Sequence, residues 1–129
     1  MIVAPYAALL ACLFVYLSLR VVRLRRQLQV AVGDRQEPRL TRAIRAHGNF
    51  AEYVPLCLLL ILFFDGLGGP IPLVHGLSLL LLCGRSLHAY GISQPKEEFR
   101  FRILGMVLTF TSMLGAALGI LLLTLIDLW

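Results

Sequence analysis

From Ile103 to Ile126 the chain runs for 24 residues without a charged side chain. At about 1.5 Å per residue, a helix of that length spans about 36 Å, enough to cross the ~30 Å hydrocarbon layer of a bilayer. In lipid, backbone groups must be satisfied within the protein, so a run of this kind is read as a transmembrane helix. Ile2 to Leu19 gives a second uncharged run of 18 residues. It lacks a positive n-region, and its arginines follow the apolar stretch instead of preceding it, which argues against a cleaved leader. Apolar residues make up 59% of the 129-residue chain and charged residues 15%. One soluble domain of this size could not bury so much apolar surface, and disordered chains are poor in such residues.

A third uncharged stretch, Gly66 to Gly84, is interrupted at its start by Pro70 and Pro72. A helix with Pro72 in its first turn follows. The second span is the informative one. Its uncharged run, Tyr53 to Phe64, has only 12 residues. It becomes long enough only if the helix continues backwards through Glu52, Asn49 and Arg45, carrying polar groups into or near the membrane. Pro38 is a start signal, and Asp65 to Pro72 reads as a turn. The expectation is an all-α integral membrane protein, a single domain over residues 1–129, with spans at about 2–22, 40–65, 72–91 and 101–127.

Eight of the twelve basic residues lie between Arg20 and Arg45, and the other four between Arg85 and Arg102. With four spans, all of them gather at one face, which the positive-inside rule makes cytoplasmic; both termini then face the other way. The basic balance is thereby explained as a topology signal, without a nucleic-acid partner. Cys12, Cys57 and Cys83 sit inside apolar runs, without CxxC or His/Cys clustering. They read as small buried hydrophobes, not as a disulfide framework or a metal site. Gly115 and Gly119 form a GxxxG pair suited to close helix contact.

At about 100° per residue with Arg45 at zero, Asn49 falls near 40°, Glu52 near −20°, Tyr53 near 80° and Arg42 near 60°. Five polar side chains share one face of the second helix, and His47 points to the opposite side. Ionisable groups at membrane depth are costly, so such a cluster points to function; a structural Arg45–Glu52 ion pair is the competing reading. A guanidinium, a carboxylate, an amide and a phenol on one face suit a small, zwitterionic, peptide-like ligand.

The stretch RAHGNFAEYVP, Arg45 to Pro55, resembles the second-helix signature RAxxNxxEYxP of the MAPEG family, the membrane-associated proteins of eicosanoid and glutathione metabolism. SLRVVRLRR, Ser18 to Arg26, is similar to the end of the first helix in the leukotriene-forming synthase branch, and GRSLHAYG, Gly84 to Gly91, resembles bacterial members. The resemblance implies a homotrimer of four-helix subunits, with glutathione bound between neighbours on the cytoplasmic side. By motif position, Arg45, Asn49, Glu52 and Tyr53 would hold the tripeptide from one subunit. Arg25 and His47 would be supplied by the adjacent one. The family usually has Gln where His47 stands. The better-known branch also places two tyrosines four apart on the third helix, where this chain has His88 and Ile92. Arg85 and His88 share that face and could contact the tripeptide.

In active family members an arginine at the start of the fourth helix stabilises the glutathione thiolate. The candidates are Arg102, adjoining Gly105, and alternatively Arg100. A free thiol titrates near pH ~8.5, and a neighbouring guanidinium lowers that value. The substrate brings its own sulfur, so no protein nucleophile is required. The implied activity is that of a glutathione transferase or glutathione-dependent peroxidase acting on a lipophilic substrate from the bilayer. The alternatives are a non-catalytic membrane lipid- or ligand-binding scaffold of the same fold, as in the family's lipoxygenase-activating branch, and a structural subunit of a larger membrane complex.

Overall fold

The computed structural model describes residues 1–96 and 98–126. Position 127, the expected end of the last span, and Glu97 lie outside them. The described residues form four helices: α1 (Ala4–Leu28), α2 (Pro38–Gly66), α3 (Ile71–Ser93) and α4 (Phe99–Ile126). Each is long and apolar enough to cross a membrane. Three of them carry a proline in their first two positions, where its missing N–H costs nothing.

Two boundaries differ from expectation. α1 continues six residues past Val22 through Arg23, Arg25 and Arg26. Arginine is a good helix former, and cations are favourable at a helix C-terminus. The turn expected over Asp65–Pro72 is only Leu67–Pro70, because Asp65 and Gly66 stay in α2 and α3 begins at Ile71. Asp65 thereby remains positioned to accept a hydrogen bond from the backbone N–H of Ile2 at 3.2 Å. Near the same end, the Tyr6 hydroxyl and His75 Nδ1 lie 2.9 Å apart. The α1–α2 and α3–α4 connections, which flank the arginine-rich segments, sit together at the other end.

The tightest packing is between α3 and α4, and its cause is visible in the sequence. The buried stripe of α4 is Gly105, Thr109, Ser112 and Ala116, all small and all at helical spacing. A Cβ on Gly105 would stand 2.6 Å from the carbonyl oxygen of Gly84, and one on Gly84 would stand 2.9 Å from that of Gly105. The two backbones therefore cross in direct contact. The GxxxG pair is used within the subunit: Gly115 faces Leu77 of α3 and Gly119 faces the Phe64 ring of α2. Buried Cys57 donates through Sγ to Ser112 Oγ, 3.4 Å away, and Ser112 donates on to the Leu77 carbonyl at 2.7 Å. Cys12 and Cys83, in contrast, are exposed. Large apolar side chains such as Val15, Leu62, Ile103, Leu114 and Leu121 cover the outside, the pattern expected where lipid is the solvent.

Candidate functional site

The polar face of α2 divides in the folded subunit. Its buried stripe is Ala43, Ala46, Phe50, Val54 and Cys57, centred near 140° on the scale that sets Arg45 at zero and about 100° per residue. Asn49 and Tyr53 lie on the shoulder of that stripe and are half-buried, whereas Arg45 and Glu52 lie far from it and are exposed. Neither Arg45 nor Glu52 is paired with the other among the described residues. His47 occupies the opposite shoulder and stacks on Phe14 of α1, with centroids 4.8 Å apart.

Asn49 and Tyr53 meet Arg85 from α3. Arg85 is 1% exposed, the largest fully buried side chain. Its Nη1 donates to Asn49 Oδ1 at 2.8 Å and its Nε to Thr109 Oγ1 at 2.9 Å. Nη2 approaches Met106 Sδ at 3.2 Å, and the guanidinium carbon lies 5.7 Å from the centroid of the Tyr53 ring. A charge at this depth is tolerated only when it is surrounded by such partners. The sequence suggested that Arg85 could touch a ligand. In the folded chain it lies between α2 and α4, held by Asn49 and Thr109. Since Asn49 Oδ1 accepts from Arg85, its amide N–H groups are what remain to offer outward.

Beside this cluster a cleft of about 280 Å³ opens between α3 and α4, lined by His88, Phe99, Arg102, Met106, Val107 and Phe110 among others. Phe110 meets the Tyr53 ring edge-on at 5.5 Å, so the cleft and the polar cluster are continuous. Arg102 is half-buried at the cleft, its guanidinium 5.6 Å from the Phe99 ring centroid. Arg100 points to the exterior and is not part of the lining. Gly91 sets the height of Arg102: a Cβ there would stand 2.9 Å from the Arg102 backbone nitrogen. His88 is 4% exposed and borders the cleft from α3.

Arg25 lies elsewhere in the subunit. Its Nη1 clasps the α1–α2 loop, donating to the carbonyls of Gly33 at 2.8 Å, Ala31 at 3.3 Å and Val30 at 3.4 Å. Nε and Nη2 are left for other uses. The folded chain thus brings together Asn49, Tyr53, Arg85, His88 and Arg102, and leaves Arg25, Arg45, His47 and Glu52 on other surfaces. Thr109, Met106 and Phe110 were not singled out from sequence. For Thr109 the signal was the Gly105–Thr109–Ser112–Ala116 spacing, which marks the α4 face turned to α3; Met106 and Phe110 lie off that stripe.

A bundle of four apolar helices with a polar cluster and an arginine-bordered cleft at its basic end defines a multi-pass α-helical membrane protein. Residues 3–122 match the model of the MAPEG family, and the chain belongs to that family. It is similar to the inner membrane protein YecN of Escherichia coli K12, 42% identical over 114 residues, which cover 88% of this chain and 86% of the relative. The protein of the same name from Escherichia coli O6:H1 matches to the same extent.

Proposed function

We propose that the protein is a membrane-bound glutathione transferase or glutathione-dependent peroxidase acting on lipophilic substrates. The observation that carries this reading is the amphipathic cleft. Its polar border holds the Arg102 guanidinium, its apolar lining includes Val107 and Phe110, and it abuts the Asn49–Arg85–Tyr53 cluster. A thiolate beside Arg102 is stabilised electrostatically, while the apolar wall accepts a substrate from the bilayer. In conjugation, the thiol first gives up its proton to solvent. The sulfur then uses its electron pair to form a C–S bond with the electrophilic carbon, and the leaving group departs with the pair from the broken bond. With a hydroperoxide, the thiolate attacks the distal oxygen and releases the alcohol. A second thiol then converts the resulting sulfenic acid to a disulfide and water.

In this reading Arg45, Glu52, Tyr53 and the outward amide of Asn49 hold the tripeptide, and Arg85 orients Asn49 from behind. His88 borders the reacting end. Arg25 and His47 reach the site of a neighbouring subunit in a homotrimer, Arg25 through the nitrogens not used on its own loop. The arginine-rich end faces the cytoplasm and both termini face away from it. Titration of the purified protein in detergent with glutathione tests the site. Glu52→Gln and Arg45→Ala should each weaken binding sharply, and unchanged affinity in both would remove it. Crosslinking should yield trimers.

A second reading, a lipid-binding scaffold, has its own observation: a groove of about 320 Å³ between α1 and α2, lined by apolar side chains including Leu10, Phe14, Val54 and Pro55. Binding of a lipophilic ligand with no glutathione-dependent turnover against a panel of electrophiles and hydroperoxides would favour it.

A further inference from the structure

Tyr16, Arg20, Arg23 and Gln27 are spaced four, three and four residues apart on α1. At about 100° per residue they fall within about 60° of one another, and Arg25 falls on the opposite side of the helix. This stripe is therefore turned away from the face that braces the α1–α2 loop, and the proposed glutathione chemistry does not use it. Two adjoining recesses open along it. One, of about 420 Å³, lies between α1 and α3 and is bounded by Leu13, Tyr16, Leu17, Arg20, Tyr90 and Ser93 among others. The other, of about 220 Å³, is bounded by Tyr16, Arg20, Arg23, Leu24, Gln27 and Arg39. They share Tyr16 and Arg20, and among the described residues no acidic side chain lines either.

We propose that these joined recesses seat the phosphodiester headgroup of an anionic phospholipid from the leaflet at the arginine-rich end of the bundle. Three guanidinium groups from two helices converge on one concavity whose lining, among the described residues, carries no counter-charge. Simple flanking arginines would spread into water. Arg20, in contrast, is held in place: Nη1 donates to the Ser93 hydroxyl and Nη2 to the Ser93 carbonyl at 3.4 Å. Three of its five N–H donors stay available. The lining also changes character along α1. Leu13 stands toward the bundle centre, Tyr16, Leu17 and Tyr90 about a turn nearer the arginines, and Arg23, Gln27 and Arg39 at the end. Apolar, aromatic and cationic groups in that order match acyl chain, glycerol region and phosphate of a lipid lying against the helix. A free phosphate would share the cationic end but would have no use for the apolar one.

The test uses the full-length protein in mild detergent and native mass spectrometry. The probes are phosphatidylglycerol, phosphatidylcholine and inorganic phosphate. Phosphatidylglycerol should be retained in preference to phosphatidylcholine. Each arginine near a charged lipid surface contributes about fivefold in affinity, so Arg23→Gln with Arg39→Gln should weaken retention by more than about tenfold. Neither Arg23 nor Arg39 has a hydrogen-bond partner among the described residues, so the pair can be replaced without undoing the fold. Arg26→Gln with Arg35→Gln removes equal charge outside the recesses and should weaken retention far less. Equal loss in both double variants would overturn the site in favour of diffuse attraction. Equal retention of phosphatidylcholine, or displacement of phosphatidylglycerol by millimolar inorganic phosphate, would overturn the lipid assignment.

Discussion

Gly105→Ala is the sharpest test of how α3 and α4 are joined. The added Cβ would stand 2.6 Å from the Gly84 carbonyl oxygen, 2.7 Å from the His88 backbone nitrogen and 2.8 Å from His88 Cβ. Two of these three neighbours are backbone, so no side-chain rotation relieves the contact. Ordinary contact begins near 3.4 Å, so the helices must part by about 0.8 Å, an overpacking that typically costs about 1–3 kcal/mol. The same separation strains the Arg85–Thr109 hydrogen bond one turn along and displaces His88 from Arg102 across the cleft. Gly76→Ala is the control. It lies on the same helix pair, exposed, with nothing within 4 Å of its Cβ. It should be neutral or gain about 0.5–1 kcal/mol from helix propensity. Thermal unfolding of both variants in one detergent, followed by circular dichroism, measures the difference. If Gly105→Ala unfolds at the temperature of Gly76→Ala, the backbone-to-backbone crossing is not what joins the helices.

Three further outcomes are expected. Arg85→Met should cost at most about 1–3 kcal/mol, because only Asn49 Oδ1 is left without a partner and the burial of a charge is relieved; Thr109 loses the Arg85 Nε but keeps the Gly105 carbonyl at 2.8 Å. Its glutathione affinity should nevertheless fall at least about tenfold as the Asn49 amide loses its orientation, measured by calorimetric titration beside the unfolding curve. Arg102→Ala should retain glutathione but form the thiolate only at higher pH, by thiolate absorbance, while Arg100→Ala leaves that titration in place; the reverse result reassigns the role. The third concerns Asp34, whose carboxyl is held below its ordinary value by the Thr41 hydroxyl and the Gln36 N–H. A lowered value means its contribution is present above the ordinary carboxylate range and is lost on acidification. Amide exchange in residues 29–37, corrected for intrinsic rate, should therefore rise at low pH, and Asp34→Asn should flatten that dependence.

The four helices were legible because lipid imposes length and charge rules that a sequence states openly. Pro38 marked the start of α2, and the short uncharged run Tyr53–Phe64 announced that this helix had to carry polar groups. Which of those groups turn inward was not legible from angles measured from Arg45. Measured from the buried stripe Ala43–Ala46–Phe50–Val54–Cys57, the same arithmetic separates Asn49 and Tyr53 from Arg45 and Glu52. The burial of Arg85 was hidden for a different reason. An arginine at the edge of an apolar span reads as a flanking charge, and only the tertiary meeting with Asn49 and Thr109 makes its depth tolerable. Likewise, spacing alone separated Arg100 from Arg102 but did not say which faces inward. That choice follows from the crossing at Gly84 and Gly105, a contact between helices that no single helix encodes.

The way α1 is fastened has a consequence of its own. It is stitched near one end by Ile2–Asp65 and Tyr6–His75, and near the other by Arg20–Ser93. Between those stitches it rests on others through apolar side chains, Leu10, Leu13, Phe14 and Leu17, with no small-residue crossing among the described residues of the kind that locks α3 to α4. A rod fixed at its tips and greased along its middle bows more readily than it detaches. The bundle is thus a rigid hairpin with a pliant outer stave, and an oily guest sliding in beside Phe14 would meet a wall that yields.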